Sequence, residues 1–327
     1  MVYKKKLILL SSLAGFLAVV YLITLFFDPE RVSSRNAAFL WLDPKLQDQA
    51  DGIELAKAGE WDNPLKLVRR GSNWHALIGE AEFPAKNVRV EDLFRSLSAR
   101  AAYPVRGSDA ASQERLGLSE NRAARILIKG GAGLPLLDLL IGGSDAAGRE
   151  VYMRKNGQNE IRSGEDQLSA YLNGAETSWY RLGLFSESPN PPDAAMVQRV
   201  TVYPLPPEEG EETVAPSEPM VIARSGSGWT IEGLDDDTVD AQRVDSYMRG
   251  ILEAEGDNFV PGMAAATAGF SDGRILVEMG NGSSLTITVG ILSEGQKAAA
   301  ASGSPYVYTL ADWTVSRLFR ERSYFVQ

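Results

Sequence analysis

Lys66–Leu77 reads KLVRRGSNWHAL and Val221–Glu232 reads VIARSGSGWTIE. Arg69, Gly71, Ser72 and Trp74 of the first segment fall on Arg224, Gly226, Ser227 and Trp229 of the second, at a constant offset of 155. Each segment is an apolar run, a Gly/Ser turn and a Trp-led run, which is the pattern of a β-hairpin. Two matched hairpins this far apart point to an internal repeat, and a repeat decides the whole fold.

The match continues outward. Val90–Leu97 and Val244–Ile251 space apolar residues by three and four, so both are expected as amphipathic helices. Leu116-Gly117-Leu118-Ser119 parallels Ala268-Gly269-Phe270-Ser271, and Arg125–Ile128 parallels Arg274–Val277. Leu136–Gly142 and Leu285–Gly290 each read as an apolar strand ending in Gly, and Val151-Tyr152-Met153 is set against Tyr306-Val307-Tyr308. Asn156-Gly157 is a type I′ hairpin signal, and short helical stretches close the copies near Glu165–Leu172 and Ala311–Arg320. With Ile53–Leu55 and Val197–Tyr203 leading, the unit reads β-β-β-α-β-β-β-α. The expected fold class is α+β: two tandem β-rich repeats after one N-terminal transmembrane helix.

That helix is expected at residues 7–27, LILLSSLAGFLAVVYLITLFF, which holds no charge. At about 1.5 Å per residue it spans roughly 31 Å, the thickness of a hydrocarbon core. The stretch is longer than a signal-peptide core and no small-x-small cleavage site follows it, so it reads as an uncleaved anchor. Lys4, Lys5 and Lys6 before it and Asp28 and Glu30 after it place residues 1–6 in the cytoplasm and residues 28–327 outside, on the bacterial inner membrane. The expected organisation is then a juxtamembrane segment at 28–49, repeat 1 at 50–185, a Pro-rich linker at 186–194 and repeat 2 at 195–327.

Composition narrows the function classes. Of 327 residues, 43 are Asp or Glu and 33 Lys or Arg, and the net charge of −10 argues against nucleic acid as a partner. There is no Cys and one His, His75, so thiolate chemistry, Cys/His zinc sites and most Ser-His-Asp arrangements fall away. Gly226-Ser227-Gly228 lacks the frame of a nucleophile elbow, and Gly130-Gly131-Ala132-Gly133 lacks the G-K-[ST] of a phosphate loop; both read as turns. The acidic runs at Glu208–Glu212 and Asp235–Asp237 lack the alternating oxygen ligands of an EF-hand loop and read as solvated loops. Catalytic, cofactor-binding and metal-binding residues are expected to be none. The recurring aromatics Trp74, Trp229, Tyr152 and Tyr306 are the structural or interaction candidates.

These residues carry a family resemblance: G-x-x-W with its β lead, an amphipathic helix, LGL or AGF, a Gly-terminated strand and a Val-Tyr hairpin. Behind one N-terminal anchor, the chain resembles domain-of-unknown-function family 4340 of bacterial envelope proteins, in two copies over most of residues 50–327. The resemblance implies a link with ABC transporters of the gliding-motility auxiliary type and carries over no catalytic residue. The expected function is therefore a non-enzymatic, membrane-anchored envelope protein that binds a protein partner, the permease and ATPase subunits of an ABC-type transporter. The alternative is a module binding a small envelope ligand, glycan or lipid, in the groove between repeats. An open strand edge would favour the first reading.

Overall fold

The computed structural model describes residues 15–17, 19, 21, 38–120, 122–188, 192–206, 218–226, 228–235 and 238–326. They form two units, one of Met1–His75 with Lys86–Ala175, the other of Ala76–Ala85 with Glu176–Gln327. Both are built from antiparallel sheet.

Three sheets are present among the described residues. The smallest pairs β1 (Ala38–Phe39) with β6 (Ala101–Ala102). The first large sheet holds β2 (Ala50–Ala56), β3 (Leu65–Arg70), β4 (Asn73–Ile78), β5 (Ala81–Pro84), β7 (Val105–Gly107), β8 (Ala124–Gly130), β9 (Pro135–Ser144), β10 (Glu150–Lys155) and β11 (Ile161–Glu165). Their order is β5-β4-β3-β2-β8-β9-β10-β11-β7. The second holds β12 (Val197–Tyr203), β13 (Met220–Ser225), β14 (Gly228–Ile231), β15 (Asn258–Ala264), β16 (Gly273–Met279), β17 (Ser284–Ile291), β18 (Lys297–Ala301) and β19 (Tyr306–Thr309). Their order is β14-β13-β12-β16-β17-β18-β19-β15. From β4 onward the first order repeats the second strand for strand; β5 is the addition.

The α+β expectation is corrected by this count of strands. The protein is mostly β-sheet, and among the described residues only α1 (Asn87–Ser98) and α4 (Ala241–Leu252) exceed two turns. The remaining helices, α2 (Ala110–Arg115), α3 (Ser169–Leu172) and α5 (Asp312–Leu318), are short. The extra strands come from runs with no strand signal of their own. Lys297–Ala301 is KAAAA, good helix-forming composition, yet it is held as β18 between β17 and β19 and buries its four alanines. Tertiary pairing overrides intrinsic propensity there.

The transmembrane anchor is also corrected. Residues 7–27 lie almost wholly outside the described residues, and among the described residues no helix is long and apolar enough to cross a membrane. The inner-membrane, single-pass placement of the chain is withdrawn. The segment expected to be juxtamembrane instead joins the first unit from Ala38 on. Trp41 and Leu42 are buried, and their backbone N–H groups both donate to the Leu97 carbonyl at the end of α1.

Glycines place the turns that recur in the two units. Gly117 and Gly269, the central residues of LGL and AGF, both take left-handed φ, +72° and +64°. A Cβ on Gly142 would run into the Leu116 carbonyl oxygen, and one on Gly290 into the Phe270 ring, so each turn sits on the Gly end of its strand. In the first unit Gly142 and Gly143 together oppose Tyr152, since Ile141 pairs with Met153 and Ser144 with Val151. That is a β-bulge, and Gly143 N–H is freed to donate to the Leu116 carbonyl at 2.9 Å. At Asn156-Gly157 only Gly157 has positive φ, so the type I′ turn does not form.

The second unit is organised around Phe259, 2% exposed. Phe83 stacks on it at 4.5 Å between ring centroids, and Tyr180, Tyr306 and Tyr308 pack at 6.0, 5.3 and 5.2 Å. Burial pushes the Tyr180 and Tyr308 hydroxyls up to about 12 and raises Tyr247 further. A phenol with a folded pKa above its unfolded value of about 10 stabilises the fold fully below pH ~10 and loses that contribution as pH rises towards 12. Near-ultraviolet absorbance titration is expected to show these tyrosines ionising only as the second unit unfolds; their ionisation in the folded protein near pH 10 would contradict the packing.

Candidate strand-docking edge

Trp74 and Trp229 are the second residues of β4 and β14, and both are buried, 6% and 7% exposed. Trp74 faces Phe94 of α1 at 6.0 Å. Trp229 donates from Nε1 to Asp245 Oδ1 of α4 at 2.8 Å and carries the Arg224 guanidinium over its ring at 4.5 Å. Each tryptophan thus lies between its hairpin and the first long helix of its unit.

The two hairpins differ on their outer side. In the second sheet Glu232 N–H donates to the Val221 carbonyl at 3.0 Å, and β13 pairs Ala223 with Thr230. Antiparallel alternation then turns the N–H and C=O of Trp229 and the N–H of Ile231 away from β13. The Ile231 carbonyl is used locally by Leu234 N–H at 3.0 Å. Among the described residues no strand pairs with β14 on this outer side, so it is a sheet edge.

In the first sheet the same edge is closed. There β5 pairs along β4, and the Trp74 N–H donates to Asn87 Oδ1 at 2.9 Å, with Asn87 Nδ2 donating in turn to Asn73 Oδ1 at 2.9 Å. Asn87 is the first residue of α1; the first residue of α4 is Ala241, whose methyl group accepts nothing. The acceptor before it, Asp240, is occupied as the N-cap of α4, taking Gln242 N–H at 3.0 Å and Arg243 N–H at 3.1 Å. The chain after β14 runs Gly233-Leu234-Asp235-Asp236-Asp237 where the chain after β4 runs through Ala81-Glu82-Phe83-Pro84. Among the described residues no counterpart of β5 pairs with β14, and three successive aspartates have poor strand propensity.

The charge is just as uneven. The second unit carries 24 Asp and Glu against 10 Lys and Arg, a net of −14, and the first carries 19 against 23, a net of +4. The β14 edge therefore lies in the acidic unit.

The tyrosine candidates do not form a matched pair. Tyr152 is on β10, opposite the bulge and against the cluster of Leu118, Ala123, Leu140 and Ile161. Tyr306 is on β19, which holds the place of β11; the strand in the place of β10 is β18. Tyr306 belongs to the aromatic set around Phe259. His75, on β4, keeps its Nδ1 buried without a hydrogen-bond partner among the described residues.

Two polar groups without a sequence motif are structural. Asp138 takes both Arg125 Nε and Nη2 at 2.7 Å and Asn156 Nδ2 at 2.9 Å; burial raises its pKa, and these hydrogen bonds outweigh that and hold it below the usual carboxylate value. Ser163 Oγ donates to Glu150 Oε2 at 2.7 Å and accepts from Arg106 Nε at 2.7 Å. Ser163 is fully buried, which closes its hydroxyl to a substrate. Neither group was readable beforehand, because its members come together only through strand pairing.

Comparison with family models matches residues 74–273 to the family described as Domain of unknown function (DUF4340). The match is a single stretch that begins at Trp74 in β4 and ends at Gly273, the first residue of β16, so it takes in parts of both units. Comparison with curated proteins and with solved structures gave no match.

Proposed function

The chain belongs to the DUF4340 family, and from that membership and the outer edge of β14 we propose that it is a non-enzymatic binding module that takes up an extended segment of a partner protein by strand addition. The carrying observation is the contrast between the two hairpins: Asn87 and β5 close the edge of β4, whereas Ala241 offers no acceptor and, among the described residues, no strand pairs with the outer side of β14. Natural proteins cover or charge such edges unless pairing is useful, since unpaired N–H and C=O groups template another strand. The outward N–H and C=O of Trp229 offer one to two main-chain hydrogen bonds, each worth about 0.5–1.5 kcal/mol net, and Ile231 beside it is buried. That suits a reversible partner. The partners proposed are the permease and ATPase of an ABC-type transporter, on the strength of the family resemblance, with the two like-ordered units read as tandem copies of one ancestral module.

The test is copurification of the chain with a multi-pass permease and its ATPase from mild detergent. Ala241→Asn supplies the missing acceptor for Trp229 N–H and is expected to weaken retention about fivefold, the equivalent of roughly 1 kcal/mol. Recovery of the chain alone, or retention unchanged in Ala241→Asn, overturns the reading.

A further inference from the structure

We infer that the segment received by β14 is basic, an extended stretch with Lys or Arg at alternate positions. This rests on the strand-addition reading above. Both faces of the edge are flanked by carboxylates. Glu232 follows β14 in register with the face of Thr230 and is exposed, and Asp245 of α4 stands on the opposite face, hydrogen-bonded to the Trp229 indole. Asp235 is exposed just beyond.

The nearby cations are already engaged. Arg224 lies over the Trp229 ring and donates to the Val197 carbonyl, and Arg243 is spent on Asp240 and on the Tyr324 and Val326 carbonyls. Exposed lysine is a common guard of strand edges, and the second unit has one lysine, Lys297, on β18 with Asp312. Glu232 and Asp235 therefore attract a basic strand, and the Arg224 charge stands on the other face of the hairpin, over Trp229. A second copy of the chain is disfavoured, because each copy brings a second unit with the same net charge of −14. With a net of −14 on the whole unit, attraction extends to about a Debye length, near 10 Å at 0.1 M salt.

The full chain is titrated with two capped octapeptides, alternating Lys-Val and alternating Glu-Val, reading affinity and backbone amide exchange. The Lys-Val peptide is expected to bind at least tenfold tighter and to slow exchange within Gly228–Ile231. Its advantage is expected to shrink at high salt and to fall several-fold in the double variant Glu232→Gln, Asp235→Asn. Equal binding of both peptides with protection of Gly228–Ile231 overturns the basic preference and leaves strand addition standing. A basic preference without that protection, or one untouched by the double variant, places binding elsewhere and overturns the inference. Failure of both peptides to bind overturns it as well, and the copurification of Ala241→Asn then judges strand addition separately.

Discussion

Phe259→Ala is expected to destabilise the second unit by roughly 3–5 kcal/mol, the range for removing a buried aromatic side chain whose site cannot collapse. The site is rigid for a stated reason. Phe259 touches four other rings, those of Phe83, Tyr180, Tyr306 and Tyr308, which come from three separate stretches of chain, two of them on β19. Ring pairs of this geometry add about 0.5–1.5 kcal/mol each beyond area burial, and truncation forfeits all of them. Denaturant unfolding followed by tyrosine fluorescence measures the change. Phe259→Leu, which keeps apolar volume, is expected to recover about half of it; a loss under 1 kcal/mol for the alanine variant would show that the aromatic set is not the core of the unit.

Gly142→Ala is expected to cost about 3 kcal/mol or more although it adds one methyl group to a sheet residue. Overpacking costs typically 1–3 kcal/mol where side chains can yield. Here the obstacle is the Leu116 carbonyl, itself fixed by the Gly143 N–H bond at 2.9 Å and by Gly117 at positive φ. Relief requires opening the bulge opposite Tyr152 and breaking that bond. Gly143→Ala is the control, since a Cβ there meets the same carbonyl only at 3.7 Å, and it is expected to be nearly neutral. Equal effects of the two variants would mean that the turn does not lean on Gly142.

The local parts of this architecture were legible in the sequence. Trp74 and Trp229 head their strands, Val90–Leu97 and Val244–Ile251 lie within α1 and α4, and the LGL and AGF turns rest on Gly142 and Gly290. Hairpin and helix patterns are written within a dozen residues, where periodicity and turn chemistry act. Long-range pairing was not legible. Lys297–Ala301 has no strand signature, and without β18 the sequence alone sets Tyr306 one strand out of register against Tyr152. Ala81–Pro84 receives no assignment from the sequence, because what makes it a strand is β4 beside it and what buries Phe83 is Phe259, far along the chain. The docking edge was hidden for a related reason. Its signal is the exchange of Asn87 for Ala241, which has meaning only once Trp74 N–H is seen to end on Asn87. The hydropathy of residues 7–27 falls almost wholly outside the described residues, among which no helix is long and apolar enough to cross a membrane.

The membership of Ala76–Ala85 in the second unit bears on how the polypeptide is made. These ten residues leave the ribosome long before their neighbours. Between Phe83 and Phe259 lie some 175 residues, which at about 5–20 residues per second take roughly ten to thirty seconds to synthesise. Throughout that interval Phe83 has no Phe259 to stack on, and its strand can pair only with β4. The nascent chain thus holds an apolar strand in waiting, and folding of the second unit cannot finish until translation has passed β19. Holdase chaperones that recognise extended apolar segments have their natural window on this protein there, and a translational pause placed between the codons for residues 185 and 259 would lengthen it.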